Sequence, residues 1–226
     1  MPASDNLIRV ARALVPIHEH RFVFAGASIL PLLLDDPAAP PPRFTEDVDA
    51  VVDVISYGRW ETLQRRLHEC GLRVRADIPA GRARICLFHL EEIEVDIMPL
   101  RTPEILRPSP MLELGFQFAE PFQIANDLEV FALSAPSLLS AKLEAFFERG
   151  IRQLPNSKDL DDIVALFDGR MRLVDEIADT TPEMRVFISD GLRRFLANGY
   201  VLDLISDAIR NPEHERRILA KMRQAI

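Results

Sequence analysis

Phe44-Thr45-Glu46-Asp47-Val48-Asp49-Ala50-Val51-Val52 is the stretch that decides how this chain is read. Val48, Val51, Val52 and Val54 give the run from Phe44 to Ile55 the β-branched composition of a buried strand. Residues two apart on a strand share a face, so Asp47 and Asp49 present two carboxylates on one side while Val48 points into the core. Their Cα atoms are expected about 6.6 Å apart, from a rise of roughly 3.3 Å per residue. Carboxylates converging across that gap suit two divalent cations held about 3.5–4 Å apart. The plain alternative is an acidic strand start that faces water. Aspartate is disfavoured in strands, and two so close repel, which weighs against it.

The neighbouring pieces give the pair a context. Upstream, Arg21 to Ala25 reads as a short buried strand stopped by Gly26, and Ser28 opens a helical stretch. Such a turn leaves backbone N–H groups at a helix start, where a triphosphate can rest, so Gly26 and Ser28 are candidate nucleotide-binding residues. Any strand-to-helix turn can use glycine, so this piece alone says little. Downstream, Ile93, Val95 and Ile97 alternate with Glu94 and Asp96. Asp96 is a candidate third metal ligand that helps take a proton from an attacking hydroxyl, and Glu94 is left to solvent.

A glycine–serine turn, a D-x-D strand and a later single aspartate resemble the signature of polymerase-beta-type nucleotidyltransferases. More closely, Phe44 to Asp49, Val95-Asp96-Ile97-Met98-Pro99, Ala141-Lys142-Leu143-Glu144-Ala145-Phe146 and Asp159 to Leu166 are similar to the AbiEii/AbiGii-type nucleotidyltransferase toxin family. The resemblance runs in order from about Phe22 to Arg170. It implies an α/β (α+β) catalytic core with a mixed sheet, an NTP used with Mg²⁺, and, for some members, a cognate antitoxin protein and tRNA as acceptor. The sequence departs from the family in two places. The turn Ala25-Gly26-Ala27-Ser28 lacks one of the usual close-approach glycines. The segment from Ser28 to Asp47 is long and proline-rich, as a lid edge or as an inert spacer.

After Ser134 the hydrophobic period changes from 2 to 3.6. Pro136–Arg149, Ser157–Phe167, Pro182–Ala197 and Pro212–Gln224 read as helices, several with proline in the first turn after a Ser, Thr or Asn. The expected organisation is a catalytic core over 1–133 and a helical region over 134–226 that closes over the active site. Lys142 stands inside the apolar stripe of Leu138, Leu139, Leu143 and Phe146, where a lysine must snorkel or meet an anion. It is expected to contact the triphosphate. Asp159 and Asp162 share one flank of the next helix and either orient Lys142 or bind a nucleotide group. Asp159 also has a plain explanation in the favourable dipole of a helix start. Asp161 and Asp168 are assigned to solvent.

The remaining composition excludes more than it assigns. The chain has 226 residues, 48% hydrophobic and 27% charged, which is ordinary globular usage. Its longest mostly apolar run, Ala27 to Leu34, is too short to span a bilayer, and the N-terminus lacks the layout of a signal peptide. Cys70 and Cys86 have no paired spacing and read as reduced core thiols, so a cytoplasmic location without membrane contact is expected. His18-Glu19-His20 reads as a polar turn, and His68, His89 and His214 as isolated. No H-E-x-x-H, G-x-S-x-G or G-x-x-x-x-G-K pattern occurs. A net charge of −8 confines any nucleic-acid contact to a local patch, such as Arg216, Arg217, Lys221 and Arg223 of the final helix.

The sequence therefore predicts transfer of a nucleoside monophosphate from an NTP to an acceptor hydroxyl. Two Mg²⁺ ions on Asp47, Asp49 and Asp96 would serve it, with a tRNA 3′ end as acceptor in a toxin–antitoxin setting. A small-molecule nucleotidyltransferase of the aminoglycoside-modifying kind is one alternative. A catalytically inactive module that binds a nucleotide or a protein is the other.

Overall fold

Ser4 accepts a hydrogen bond from the Leu7 amide and starts α1 (Asp5–Leu14), whose Leu7, Val10, Ala11 and Leu14 are buried as their spacing requires. The computed structural model describes residues 3–54, 56–74, 86–101, 109–209 and 211–226. These form two compact units, Met1–Leu32 with Phe44–Ser134, and Leu33–Arg43 with Ala135–Ile226.

The first unit is built on a sheet whose described strands are β1 (Phe22–Ala25), β2 (Val48–Val52), β3 (Arg73–Val74), β4 (Leu87–Leu90), β5 (Ile93–Pro99), β6 (Glu120–Ala125) and β7 (Leu128–Ala132). Their order is β3-β4-β5-β2-β1-β7-β6. The sheet is mixed, as expected: β2 and β5 pair in parallel, as do β1 and β7, and the other neighbours are antiparallel. The central β1 is buried at every residue. β5 alternates buried and half-buried positions along its length. Short helices, α2 (Leu30–Leu33), α3 (Tyr57–Glu69) and α4 (Pro110–Gln117), join the strands.

The sequence predicts a helix carrying Trp60, Leu63 and Leu67 between a Ser56 cap and Gly71; it forms as α3, capped by Ser56, with Gly71 at φ 92 just beyond its end. The β6–β7 hairpin turns at Asn126-Asp127, and the β4–β5 hairpin at Glu91-Glu92, with Glu91 at φ 54. The sequence also reads as strands at Leu72 to Arg75 and Arg84 to His89, of which Arg75, Arg84 and Ile85 lie outside the described residues. One boundary differs. The strand expected from Phe44 begins only at Val48. Its ladder with β1 ends at the Ala25–Asp49 pair and its ladder with β5 at the Val48–Val95 pair, which sets the start at Val48. The Thr45 hydroxyl instead donates to the Asp47 carboxylate, a local bond that competes with extended pairing.

The second unit contains α5 (Ala135–Glu148), α6 (Lys158–Gly169), α7 (Leu173–Asp179), α8 (Pro182–Leu196), α9 (Gly199–Ile209) and α10 (Pro212–Gln224). Ser157, Thr181 and Asn211 cap α6, α8 and α10 through side-chain oxygens, and proline occupies the first turn of the last two. Leu138, Leu139, Leu143 and Phe146 of α5 are all buried.

The proline-rich segment is fastened to α6. The amides of Asp35 and Asp36 both donate to the Gly169 carbonyl at 2.9 Å. Arg170 donates to the Leu33 carbonyl and the Asp35 carboxylate. Arg43 grips Asp162 with two parallel bonds of 2.9 and 3.1 Å.

Candidate active site

Two groups of charged side chains stand out, one in each unit. The first follows from register. Asp49 is paired with Ala25 across the antiparallel β1–β2 ladder and with Asp96 across the parallel β2–β5 ladder. Neighbouring strands lie about 4.8 Å apart, so two carboxylates start from adjacent backbone positions. Asp47, Asp49 and Asp96 are all half-buried, while Val48 and Val95 between them are fully buried. Asp47 stands just ahead of β2, on the approach that Asn6 holds by donating to the Glu46 carbonyl at 3.1 Å.

Beside this pair lies the turn after β1. Gly26 has φ 67 and ψ −163, a conformation essentially reserved for glycine, and begins a short 3₁₀ turn over Ala27–Ile29. Ser28 is 2% exposed, and its hydroxyl donates back to the Ala25 carbonyl at 3.2 Å. Its side chain thus closes the turn from within. The Gly26 side of the turn is packed against Asp49.

Sequence reasoning missed a neighbour of Asp96. Cys86 is buried, and burial first, then the negative charge of Asp96, push its thiol up to about 12. It therefore stays protonated at neutral pH and adds no charge beside the aspartate. Cys70, by contrast, is only half-buried rather than a core thiol.

The second group lies in the helical unit. Lys142 is 8% exposed, and its ammonium sits 2.7 Å from Asp162 and 3.4 Å from Asp159. Asp162 is fully buried and is also held by Arg43, and Asp159 is held by Arg149 at 3.3 Å. The lysine in the apolar stripe has thus met anions, as its position demanded, and the nearer one is Asp162. Asp161 is exposed as expected. Asp168 is not. It is 5% exposed and bonded to His214 at 2.6 Å and Arg217 at 3.3 Å. Lys221 donates to the Phe167 carbonyl at 3.1 Å. The expectations of a solvated Asp168 and an isolated His214 fail for one reason: α10 packs on the C-terminal end of α6, where cationic side chains satisfy carbonyls and favour the dipole.

An all-carboxylate donor set matches hard divalent cations. Among the described residues, no three of His, Cys, Asp and Glu are gathered tightly enough to form a ready-made cage. Asp49 and Asp96 nevertheless start from paired positions, and Asp47 precedes them on the same chain, so the donor types and backbone placement fit such an ion.

A family model described as "Nucleotidyl transferase AbiEii toxin, Type IV TA system" matches residues 10–224. The chain belongs to this family. As an AbiEii-family protein it is a nucleotidyltransferase. Its structure is similar to an antigenic nucleotidyltransferase-like protein from Paracoccidioides brasiliensis, with 17% identity and a TM-score of 0.52 over 93% of this chain and 99% of that one. It is also similar to the antibiotic-resistance factor ANT(2'')-Ia, with 12% identity and a TM-score of 0.49 over 85% and 92% of the two chains. No curated protein matches the sequence. At 17% identity the likeness to the Paracoccidioides brasiliensis protein speaks for the fold alone. No helix among the described residues is long and apolar enough to cross a membrane.

Proposed function

We propose that this AbiEii-family nucleotidyltransferase moves a nucleoside monophosphate from an NTP to a hydroxyl of RNA, at a tRNA 3′ end, as the toxin of a toxin–antitoxin pair. The observation that supports it best is the pairing of Asp49 with Asp96 across β2 and β5, beside the Gly26 turn. Asp47, Asp49 and Asp96 would hold two Mg²⁺ ions, which when bound supply charge stabilisation at the attacking and leaving oxygens. Asp96 accepts the proton of the acceptor hydroxyl. The oxygen then bonds to the α-phosphorus as the bond to the β-phosphate oxygen breaks, and pyrophosphate leaves. The triphosphate is expected to lie by the backbone N–H groups at the start of the Ala27–Ile29 turn that Ser28 closes, with Gly26 itself packed against Asp49.

The role of Asp96 separates from that of its neighbour on the same face. Asp96→Asn is expected to lower kcat by about 10²-fold or more with little change in the KM for NTP, the scale of losing a positioned base. Glu94, which faces His89 across β4, is farther from Asp49 by one face position, and Glu94→Gln should change kcat less than about threefold. Equal losses in steady-state assays would reduce both to a general acidic surface.

The acceptor is tested by offering each α-labelled NTP with total RNA, cell protein and small-molecule pools. Label in RNA is expected. Label confined to the small-molecule pool would assign the alternative acceptor class, and no label in any pool would leave only nucleotide binding. The patch that recognises RNA needs a cleaner probe than the whole final helix. Arg217 and Lys221 are engaged at the end of α6, so replacing them disturbs packing as well as charge. Arg216 and Arg223, seven residues apart on one exposed face of α10, are better targets. With about four phosphate contacts, affinity should fall with log salt at a slope of about −3 to −4. Arg216→Gln with Arg223→Gln should halve that slope and lower RNA labelling while sparing NTP binding. An unchanged slope would remove α10 from recognition.

A further inference from the structure

We propose that Gly26 is a positioning residue for Asp49, not a phosphate cradle. This rests on the reading of Asp49 as a metal ligand of the transfer site, but its structural basis is independent of that reading. A Cβ added at Gly26 would fall 1.8 Å from Asp49 Oδ2, 2.8 Å from Cγ and 3.1 Å from Cβ. Three atoms of one side chain thus occupy the space where any other residue would begin its own. Asp49 reaches this place because it is paired with Ala25, the residue just before the glycine.

The geometry also says what a side chain at position 26 does. The aspartate Cβ is fixed by the β2 ladder, so the clash is relieved only by swinging the carboxylate to another rotamer. An alanine at position 26 therefore displaces the Asp49 carboxylate while leaving the strand in place. The φ of 67 adds backbone strain, and that cost is the same whatever stands at position 49. This difference lets the two effects be separated. It also accounts for the single glycine in Ala25-Gly26-Ala27-Ser28. The close approach at Gly26 is made by a carboxylate of the same protein.

The test is a double-mutant cycle of Gly26→Ala and Asp49→Ala, read by thermal melts in metal-free buffer and by titration with Mn²⁺. Gly26→Ala should lower Tm by at least about 3 °C more in the wild-type background than in the Asp49→Ala background. It should weaken Mn²⁺ binding about 10–100-fold, the usual effect of disturbing the support of a ligand. In transfer assays it should lower kcat while the KM for NTP moves less than about threefold. If Gly26→Ala does not fold, a folded Gly26→Ala/Asp49→Ala protein supports the proposal equally. Additive melting shifts, failure of both variants to fold, or a raised KM with unchanged kcat would overturn it. The last of these would restore the phosphate contact. A coupled cycle in a protein that transfers no nucleotide would keep the inference and reject the enzymatic role given to Asp49.

Discussion

Asp49→Asn is expected to abolish nucleotidyl transfer, by on the order of 10²–10³-fold or more, the scale of losing one preorganised electrostatic contact to the transition state. The amide keeps the shape of the carboxylate and loses its charge, so the fold should survive. Like charges facing each other on adjacent strands destabilise by roughly 0.2–1 kcal/mol, and Asp49 faces Asp96 directly. In metal-free buffer the variant should therefore melt above the wild type, by up to about 4 °C. Adding Mg²⁺ should reverse the order, because a cation that binds only the folded wild type raises its stability by mass action. Asp47→Asn should lose activity in the same way. Its gain in stability should be smaller, since Asp47 stands ahead of the ladder and has the Thr45 hydroxyl as donor. Near-full activity of either variant at saturating Mg²⁺ would show that the site lies elsewhere.

How much of this was legible beforehand depended on how local the cause was. The period-2 run of Ile93 to Met98 and the capped helices at Ser56, Ser157, Thr181 and Asn211 carry their causes within a few residues, and they form as read. α4 has the same Ser-Pro opening at Ser109-Pro110, but its eight residues are too few to show a helical period in the sequence. α9 had no proline signal. Asn198 starts it by accepting the amides of Tyr200 and Val201. The face shared by Asp47 and Asp49 follows from alternation, but the partnership of Asp49 with Asp96 depends on strand order, which no short window encodes. The same holds for Gly26. Its presence in a turn is a local fact, and the carboxylate lying over it is a consequence of ladder register. Long-range pairing likewise hid Arg43 as a partner of Asp162 and His214 as a partner of Asp168. Their separations of 119 and 46 residues leave no periodic trace.

Asp162→Ala is expected to be the most destabilising single change in the helical unit, at about 3–5 kcal/mol, the cost of removing one partner from a buried ion pair. Asp162 has no exposure, and both Lys142 and Arg43 point their charges at it. Arg43 is partly exposed and can turn to water, so the stranded charge is mainly Lys142. For a chain of this size the loss corresponds to a fall in Tm of roughly 6–20 °C. If the cost is an uncompensated ammonium, Lys142→Met added to Asp162→Leu should restore more than half of it, because apolar residues of similar volume replace such pairs well. Asp159 would keep Arg149 in that double variant. The same proteins decide the function expected of Lys142. A lysine that contacts the triphosphate loses NTP affinity on Lys142→Met whether or not Asp162 is present. A lysine that serves the fold shows strong coupling with Asp162 in melting temperature and none in nucleotide titration. Two carboxylates already lie within 3.4 Å of its ammonium, so the coupling in stability is expected to be large. If NTP titrations of the stably folded double variant match the wild type, the triphosphate role of Lys142 is eliminated.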